Sequence, residues 1–269
     1  SFPDREALLE RVEAVSVAVP TDRHYDVVQE LLRKGKHVLV EKPITERVAE
    51  AEELVELASC SGLMLGVGHV ERYNPVLECI NKVRGIPRFI EGHRLAGYPP
   101  AREGLPPRGT EVSVVLDLMI HDIDVVLSLV QSNLTRVDAI GVPVLSSSHD
   151  IANARLLFAN GCVANLTASR MSAEPMRKIR VFKSQVYLSL DYQERKGEMA
   201  YVDEGAVHRE NVPVHDTNPL KEELRDFCRC IIGNRADKGS TAPRVSGEQA
   251  VAALRVASRI MSEMGQARL

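Results

Sequence analysis

The sequence predicts an α/β unit followed by an α+β unit, a parallel sheet first and then a C-terminal domain built on a large, mainly antiparallel sheet. Three observations carry that expectation. Short apolar runs alternate with helical patterns from Ala14 to Val67, a buried amphipathic helix is written into Leu116 to Leu127, and strand patterns follow one another from Leu134 to Val212. Strand, helix, strand, helix, strand with short links specifies a right-handed parallel unit, whereas consecutive strands after it specify a separate, largely antiparallel sheet.

In chain order, Ser1 to Arg11 looks like the end of a helix, and Ala14 to Val19 is an apolar run of the kind that fills a sheet covered on both faces. Pro20 and Thr21 stop it. A helix follows with Thr21 or Asp22 as N-cap and Gly35 just past its end. His37 to Val40 is the next strand, ending in Glu41-Lys42-Pro43; a helix runs to about Ser59, and Leu63 to Val67 is the third strand. In parallel sheets ligands bind beyond the carboxyl ends of the strands, so Pro20-Thr21, Glu41-Lys42-Pro43 and Gly68-His69 are candidates by position.

Asn74-Pro75 opens a helix to about Val83, and Arg88 to Gly97 alternates as a strand with Ile90, Gly92 and Arg94 on one face. Arg94 is a candidate substrate contact or a solvated sheet residue. Tyr98 to Thr110 is a proline- and glycine-rich loop. Its Arg102 and Arg108 either clamp a diphosphate by charge-assisted hydrogen bonds or are surface arginines.

In the central helix Leu116, Ile120, Ile123 and Leu127 form an apolar stripe, while Asp117, His121 and Asp124 fall at i, i+4 and i+7 on another face. One reading is a solvated ion pair. The other is a catalytic histidine oriented by Asp117, with its second nitrogen free for a substrate hydroxyl. Beyond the helix, strands are expected over Thr135 to Leu145, Ile151 to Phe158, Cys162 to Arg170, Arg177 to Phe182 and Val186 to Asp191, with shorter runs near Met199 and Val207. Asn160-Gly161 marks a hairpin. A helix from Asn218-Pro219 to Ile232, a polar link, and a last helix capped at Ser246-Gly247-Glu248 and running to Met264 complete the chain.

Composition narrows the function. The chain has 269 residues, 26% charged residues and a formal net charge of -3, with no basic excess to attract nucleic acid or an anionic membrane. No apolar run has the ~18 residues of a membrane span; a cytoplasmic protein is expected. Cys60, Cys79, Cys162, Cys228 and Cys230 form no Cys-x-x-Cys pair and are read as reduced structural thiols, and His149, His208 and His215 lack metal-ligand spacing, so no metal site is expected.

Ala-Val-Pro-Thr-Asp-Arg-His-Tyr-Asp-Val-Val (Ala18 to Val28), Gly-Lys-His-Val-Leu-Val-Glu-Lys-Pro (Gly35 to Pro43) and Asp117-x-x-x-His121 together resemble the Gfo/Idh/MocA family of NAD(P)-dependent sugar and cyclitol oxidoreductases. The resemblance implies a partial Rossmann-type dinucleotide-binding domain over residues 1–72 and a substrate and oligomerisation domain over 73–269, its last helix packing back near the first domain. It implies that Pro20, Thr21, His24, Glu41, Lys42 and Pro43 line NAD or NADP, and that Lys42, Asp117 and His121 are catalytic, with the base either Lys42 or His121. The run Gly68-His69-Val70-Glu71-Arg72-Tyr73-Asn74-Pro75 is similar to the branch of that family acting on C3 of UDP-N-acetylglucosamine, which makes Arg72, Tyr73 and Asn74, with Arg94, Arg102 and Arg108, expected substrate contacts. The substrate implied is a sugar or sugar nucleotide, and the partner a second copy docked through the C-terminal sheet, as a homodimer or homotetramer.

The family's glycine-rich phosphate loop, normally between the first strand and helix, and its ribose-binding acidic residue do not occur here, so the first strands of that domain are expected to lie outside this chain, through truncation, proteolysis or an alternative gene start. NAD and NADP cannot be told apart without that residue. The alternative to a dehydrogenase is a non-catalytic sugar-binding or assembly module that has lost its phosphate cradle.

Overall fold

The computed structural model describes residues 4–101, 103–104, 107, 109–110, 112–235 and 242–266. They form two compact units, one of residues 1–70 and 220–254, the other of 71–219 and 255–269.

In the first unit, Asp4 caps a short helix α1 (Arg5–Leu9), its carboxylate accepting from the Glu6 N–H. Strands β1 (Ala14–Val17), β2 (His37–Glu41) and β3 (Leu65–Gly68) form a parallel sheet in the order β1-β2-β3, with α2 (His24–Arg33) and α3 (Val48–Cys60) as crossovers. Centrally placed β2 buries Val38, Leu39 and Val40, each contributing roughly 1.5–3 kcal/mol. Against the sheet α2 lays His24, Val28, Leu31 and Leu32, the spacing of one helical face.

Two expectations need correction. β1 is not covered on both faces: it lies at an edge of the sheet, stops at Val17, and leaves Ser16, Ala18 and Val19 exposed. Neither Thr21 nor Asp22 caps α2; Thr21–Arg23 instead forms a tight 3₁₀ turn running straight into the helix, with the Arg23 N–H donating to the Pro20 carbonyl.

In the second unit, α4 (Val76–Lys82) precedes β4 (Phe89–Leu95), and a helical segment then leads into the remaining strands. That segment is α5 (Ile120–Val130), entered through a wide π-helical turn at Val115–Met119. Strands β5 (Leu134–Val142), β6 (Ile151–Phe158), β7 (Val163–Ser169), β8 (Met176–Lys183), β9 (Val186–Asp191), β10 (Lys196–Asp203) and β11 (Ala206–Val212) complete an eight-stranded sheet with β4, in the order β11-β10-β9-β8-β4-β7-β6-β5. All its pairings are antiparallel except β4 with β7. The Asn160-Gly161 hairpin forms as expected, Gly161 taking φ +83°.

One face of this sheet, made by Ile90, Leu156, Leu166, Ile179, Val181, Leu188 and Leu190 with small Ala152, Ala154, Ala164 and Ala168, is buried, and α5 packs over β4 and β7. The single amphipathic helix expected over Leu116–Leu127 is therefore two pieces, a π turn and an α-helix. Its buried surface extends well beyond one stripe, because Asp122, Asp124, Val125 and Val126 are inside too, while Leu127 is half-buried.

In the first unit α6 (Pro219–Arg235) packs Phe227, Cys230 and Ile231 against Leu39 and Met64. α7 (Gly247–Gln266) starts with a capping box: the Gln249 N–H donates to Ser246 Oγ, and the Ser246 N–H donates to Gln249 Oε1. The α6 packing carries Glu223 inside, where it is 2% exposed and its Oε1 has no hydrogen-bond partner among the described residues. Burial, helped by the nearby Glu41 charge, pushes its carboxyl up to about 8 from an ordinary 4.5.

A carboxyl raised in the folded state costs stability as pH climbs. Below the unfolded value both states hold the proton; between the two values only the folded state does, and above the folded value the full loss is felt. Glu223→Gln is expected to raise Tm relative to wild type more at about pH 9 than at about pH 5 in thermal scans. An equal difference at both pH values would contradict the buried neutral acid.

Candidate active site

Three loops leave the carboxyl edge of the small parallel sheet. Pro20 is exposed and Thr21 half-buried after β1; Glu41 is exposed and Lys42 half-buried after β2; Gly68 and His69 are buried after β3. The Lys42–Pro43 peptide is cis. His24, expected along the dinucleotide, lies buried between two of these loops. It is 1% exposed, with Nδ1 2.8 Å from the Pro43 carbonyl oxygen and Nε2 3.0 Å from that of Val19. Both ring nitrogens face backbone, so the ring, at the first residue of α2, ties the end of β1 to the turn carrying Glu41, Lys42 and Pro43.

In the second unit, Asp117 sits in the π turn and His121 in the first turn of α5; both are half-buried. π turns inserted in helices recur at functional sites. This one is anchored at its start, where the Val115 N–H donates to Ser113 Oγ and the Leu116 and Asp117 N–H groups donate to the Ser113 carbonyl.

Beside α5 lies a buried ionic network. Arg94 is 3% exposed: Nε and Nη2 donate to the two Asp122 oxygens at 3.0 and 2.9 Å, and Nη1 donates to Glu71 Oε1 at 2.9 Å. Burial opposes its charge, but the two carboxylates outweigh that and hold the guanidinium above its ordinary value. The Tyr192 ring lies 5.7 Å from the guanidinium carbon. Arg72 donates to Asp124 Oδ1 at 3.2 Å. Asn74 donates to Glu71 Oε2 and to the Tyr192 carbonyl, while its Oδ1 accepts from the Val76 N–H.

The expected substrate contacts sit as follows. Arg94 faces inward, each of its three nitrogens on a carboxylate, because the strand alternation puts it on the same buried face as Ile90. Asn74 is buried with both polar atoms engaged, Tyr73 is buried, and Asp124, expected on the polar face with Asp117 and His121, is inside and pairs with Arg72. Arg102 and Arg108 lie outside the described residues.

The sequence reading missed Glu71 and Asp122. The signal was present in the parity of β4: an arginine on the buried face of an alternating strand demands buried carboxylates. Among the described residues no group of three or more His, Cys, Asp or Glu side chains is arranged to hold a metal ion, and no helix is long and apolar enough to cross a membrane.

Comparison with known proteins bears on this geometry. Residues 1–69 match the model of an oxidoreductase family with an NAD-binding Rossmann fold, and residues 81–188 match the GFO/IDH/MocA C-terminal domain. Over 242 residues, 87% of this chain and 75% of the relative, the sequence is 34% identical to a UDP-N-acetylglucosamine 3-dehydrogenase of Acidithiobacillus ferrooxidans. A crystal structure of that enzyme superposes with a TM-score of 0.89 at 32% identity, covering 98% of this chain and 82% of that one.

An inositol dehydrogenase homologue of Azotobacter vinelandii, solved with NADH and myo-inositol, shares the fold with a TM-score of 0.84 at 18% identity, over 100% of this chain and 82% of its own. Nothing in these likenesses supports the non-catalytic module. The chain belongs to the Gfo/Idh/MocA family and is a dehydrogenase that uses a nicotinamide dinucleotide through a Rossmann-type domain.

Proposed function

We propose that this dehydrogenase oxidises the C3 hydroxyl of UDP-N-acetylglucosamine, or of a closely related sugar nucleotide, with NAD or NADP as hydride acceptor. The observation that carries the reading is the 34% identity over 242 residues to an enzyme of that name. The run Gly68 to Pro75 supports the same branch.

The assignment of parts follows. The unit holding β1 to β3 takes the dinucleotide. Gly68 suits that edge: a Cβ there would lie 3.1 Å from Glu41 Oε2, so the missing side chain leaves the exposed Glu41 carboxylate room to accept from a ribose hydroxyl. Pro20, Thr21 and Pro43 shape the same edge, and His24 fixes it from below. The sheet of β4 to β11 takes the sugar. When bound, the nicotinamide supplies the hydride acceptor.

Removing a hydride from carbon requires the hydroxyl proton to leave oxygen. His121 takes that proton and Asp117 orients the imidazole; Lys42, at the end of β2 in the unit that takes the dinucleotide, is the other candidate for the base. Arg72, at the rim of the ionic network, is the remaining candidate of its motif for the substrate phosphates.

The open face of the eight-stranded sheet is the proposed contact with a second copy. Phe89, Phe182 and Tyr187 form an aromatic row across it, with ring centroids 5.6 and 4.9 Å apart, Glu91 pairs with Arg180 beside them, and Ile140 and Ile151 stand exposed on the same face.

Mixing the protein with UDP-N-acetylglucosamine and NAD or NADP is expected to raise absorbance at the reduced-nicotinamide band, with a 3-keto sugar nucleotide as product; myo-inositol is expected to give none. Lys42→Met and His121→Ala are expected to lower turnover by about 10²–10⁴-fold with unchanged circular dichroism. Near-normal rates in either would remove that residue from the mechanism. Sedimentation equilibrium is expected to find a dimer or tetramer of the 29.7 kDa chain. Phe182→Lys should shift it toward monomer, and a wild-type monomer would refute the sheet interface.

A further inference from the structure

A second buried ionic cluster lies near the π turn, built from residues with no role in the mechanism above. Asp150 is fully buried and collects four donors. Oδ2 accepts from the N–H groups of Val144, Leu145 and Ser146 at 2.8, 2.6 and 2.9 Å, and Oδ1 accepts from Ser146 Oγ at 2.6 Å. Burial opposes its charge, yet these donors hold the carboxyl well below its usual range. Oδ1 also faces Arg170 Nε at 3.6 Å.

Arg170, 2% exposed, spends the rest of its guanidinium on backbone. Nη1 donates to the Gly109 carbonyl at 2.6 Å, and Nη2 donates to those of Val112 and His149 at 2.7 and 3.2 Å. Ser148 Oγ adds contacts to the carbonyls of Thr110 and Val112 at 3.0 Å each. The His149 carbonyl in turn accepts from the Val114 N–H, one residue before the π turn.

One of these carbonyls, that of Gly109, belongs to a residue lying against the Asp117 carboxylate. Gly109 has φ +83°, and a Cβ built on it would stand 2.6 Å from Asp117 Oδ2 and 3.0 Å from Asp117 Cγ. The carboxylate thus rests against the bare α-carbon of the residue whose carbonyl Arg170 holds. A shift of Gly109 moves the surface that Asp117 lies on.

We propose that Arg170, charged against Asp150 and gripping Gly109, is a positioning residue for Asp117. The proposal rests on the reading of Asp117 and His121 as catalytic. A lysine at 170 would keep the charge opposite Asp150 but could not span two carbonyls as a planar fork does. Misplacement of an orienting group by about 1 Å can cost on the order of 10²-fold in rate.

The test is a double-mutant comparison read in kcat and KM separately. Arg170→Lys is expected to lower kcat by about tenfold or more while KM for the dinucleotide stays within about twofold. In an Asp117→Asn background the same Arg170→Lys change is expected to have almost no further effect on kcat, because the group it positions has already lost its function. Gly109→Ala, which needs no change at the ionic cluster, is expected to reproduce the kcat loss and carries the test if Arg170→Lys fails to fold.

Equal kcat losses from Arg170→Lys with and without Asp117→Asn would mean a general structural role and overturn the proposal. So would a normal kcat in Gly109→Ala while Asp117→Asn is impaired. Unchanged kcat in Asp117→Asn itself would instead overturn the catalytic reading on which the proposal stands.

Discussion

Taking a guanidinium out of water costs several kcal/mol unless carboxylates accompany it inside, and Arg94 takes two with it. Its fork closes on Asp122 at the start of α5, and its third nitrogen reaches Glu71 in the turn before α4. Removing any one partner would leave an uncompensated buried charge, typically a loss of about 3–5 kcal/mol. That cost holds three pieces of chain in one arrangement: a central strand, the helix over it, and the motif that leads into α4. His121 precedes Asp122 directly, so the rotation of the helix that presents the imidazole is set by the ion pair underneath.

The ionic cluster of Asp150 and Arg170 follows the same logic on the other side of the helix entrance. Backbone N–H groups satisfy the carboxylate, backbone carbonyls satisfy the guanidinium, and side chains make few demands of each other. Such a cluster fixes loop conformation, since the Asp150 contacts close the β5–β6 loop on itself and the Arg170 contacts tie that loop to Gly109 and Val112. In the first unit His24 does a comparable task with an uncharged framework around it, placing its ring between two strand ends. Glu223 is the exception. Its Oε1 has no hydrogen-bond partner among the described residues, and burial beside the Glu41 charge raises its carboxyl, so it is held inside as a neutral acid.

Much of the fold was legible because it is local. The alternation in β4 and β6, the 3.6-residue spacing in α2, and the Asn160-Gly161 turn are properties of neighbouring residues, and the structure keeps each of them within a residue or two. Local patterns failed where a distant segment intervened. The helix at Leu116 has ordinary α periodicity, yet its first turn is widened where Ser113 and the His149 carbonyl seize its entry.

The spacing of Asp117 and His121, the Glu41-Lys42-Pro43 turn at a strand end, and the succession of a parallel and an antiparallel sheet were determined by the sequence alone, since periodicity and turn chemistry act over a few residues. Tertiary structure decided which charges pair with one another inside the fold. Arg94 and Asp122 are 28 positions apart, Arg72 and Asp124 52, and Arg170 and Gly109 61. An arginine's partner is chosen by what packing brings within 3 Å or so of it, and no pattern along the chain carries that distance.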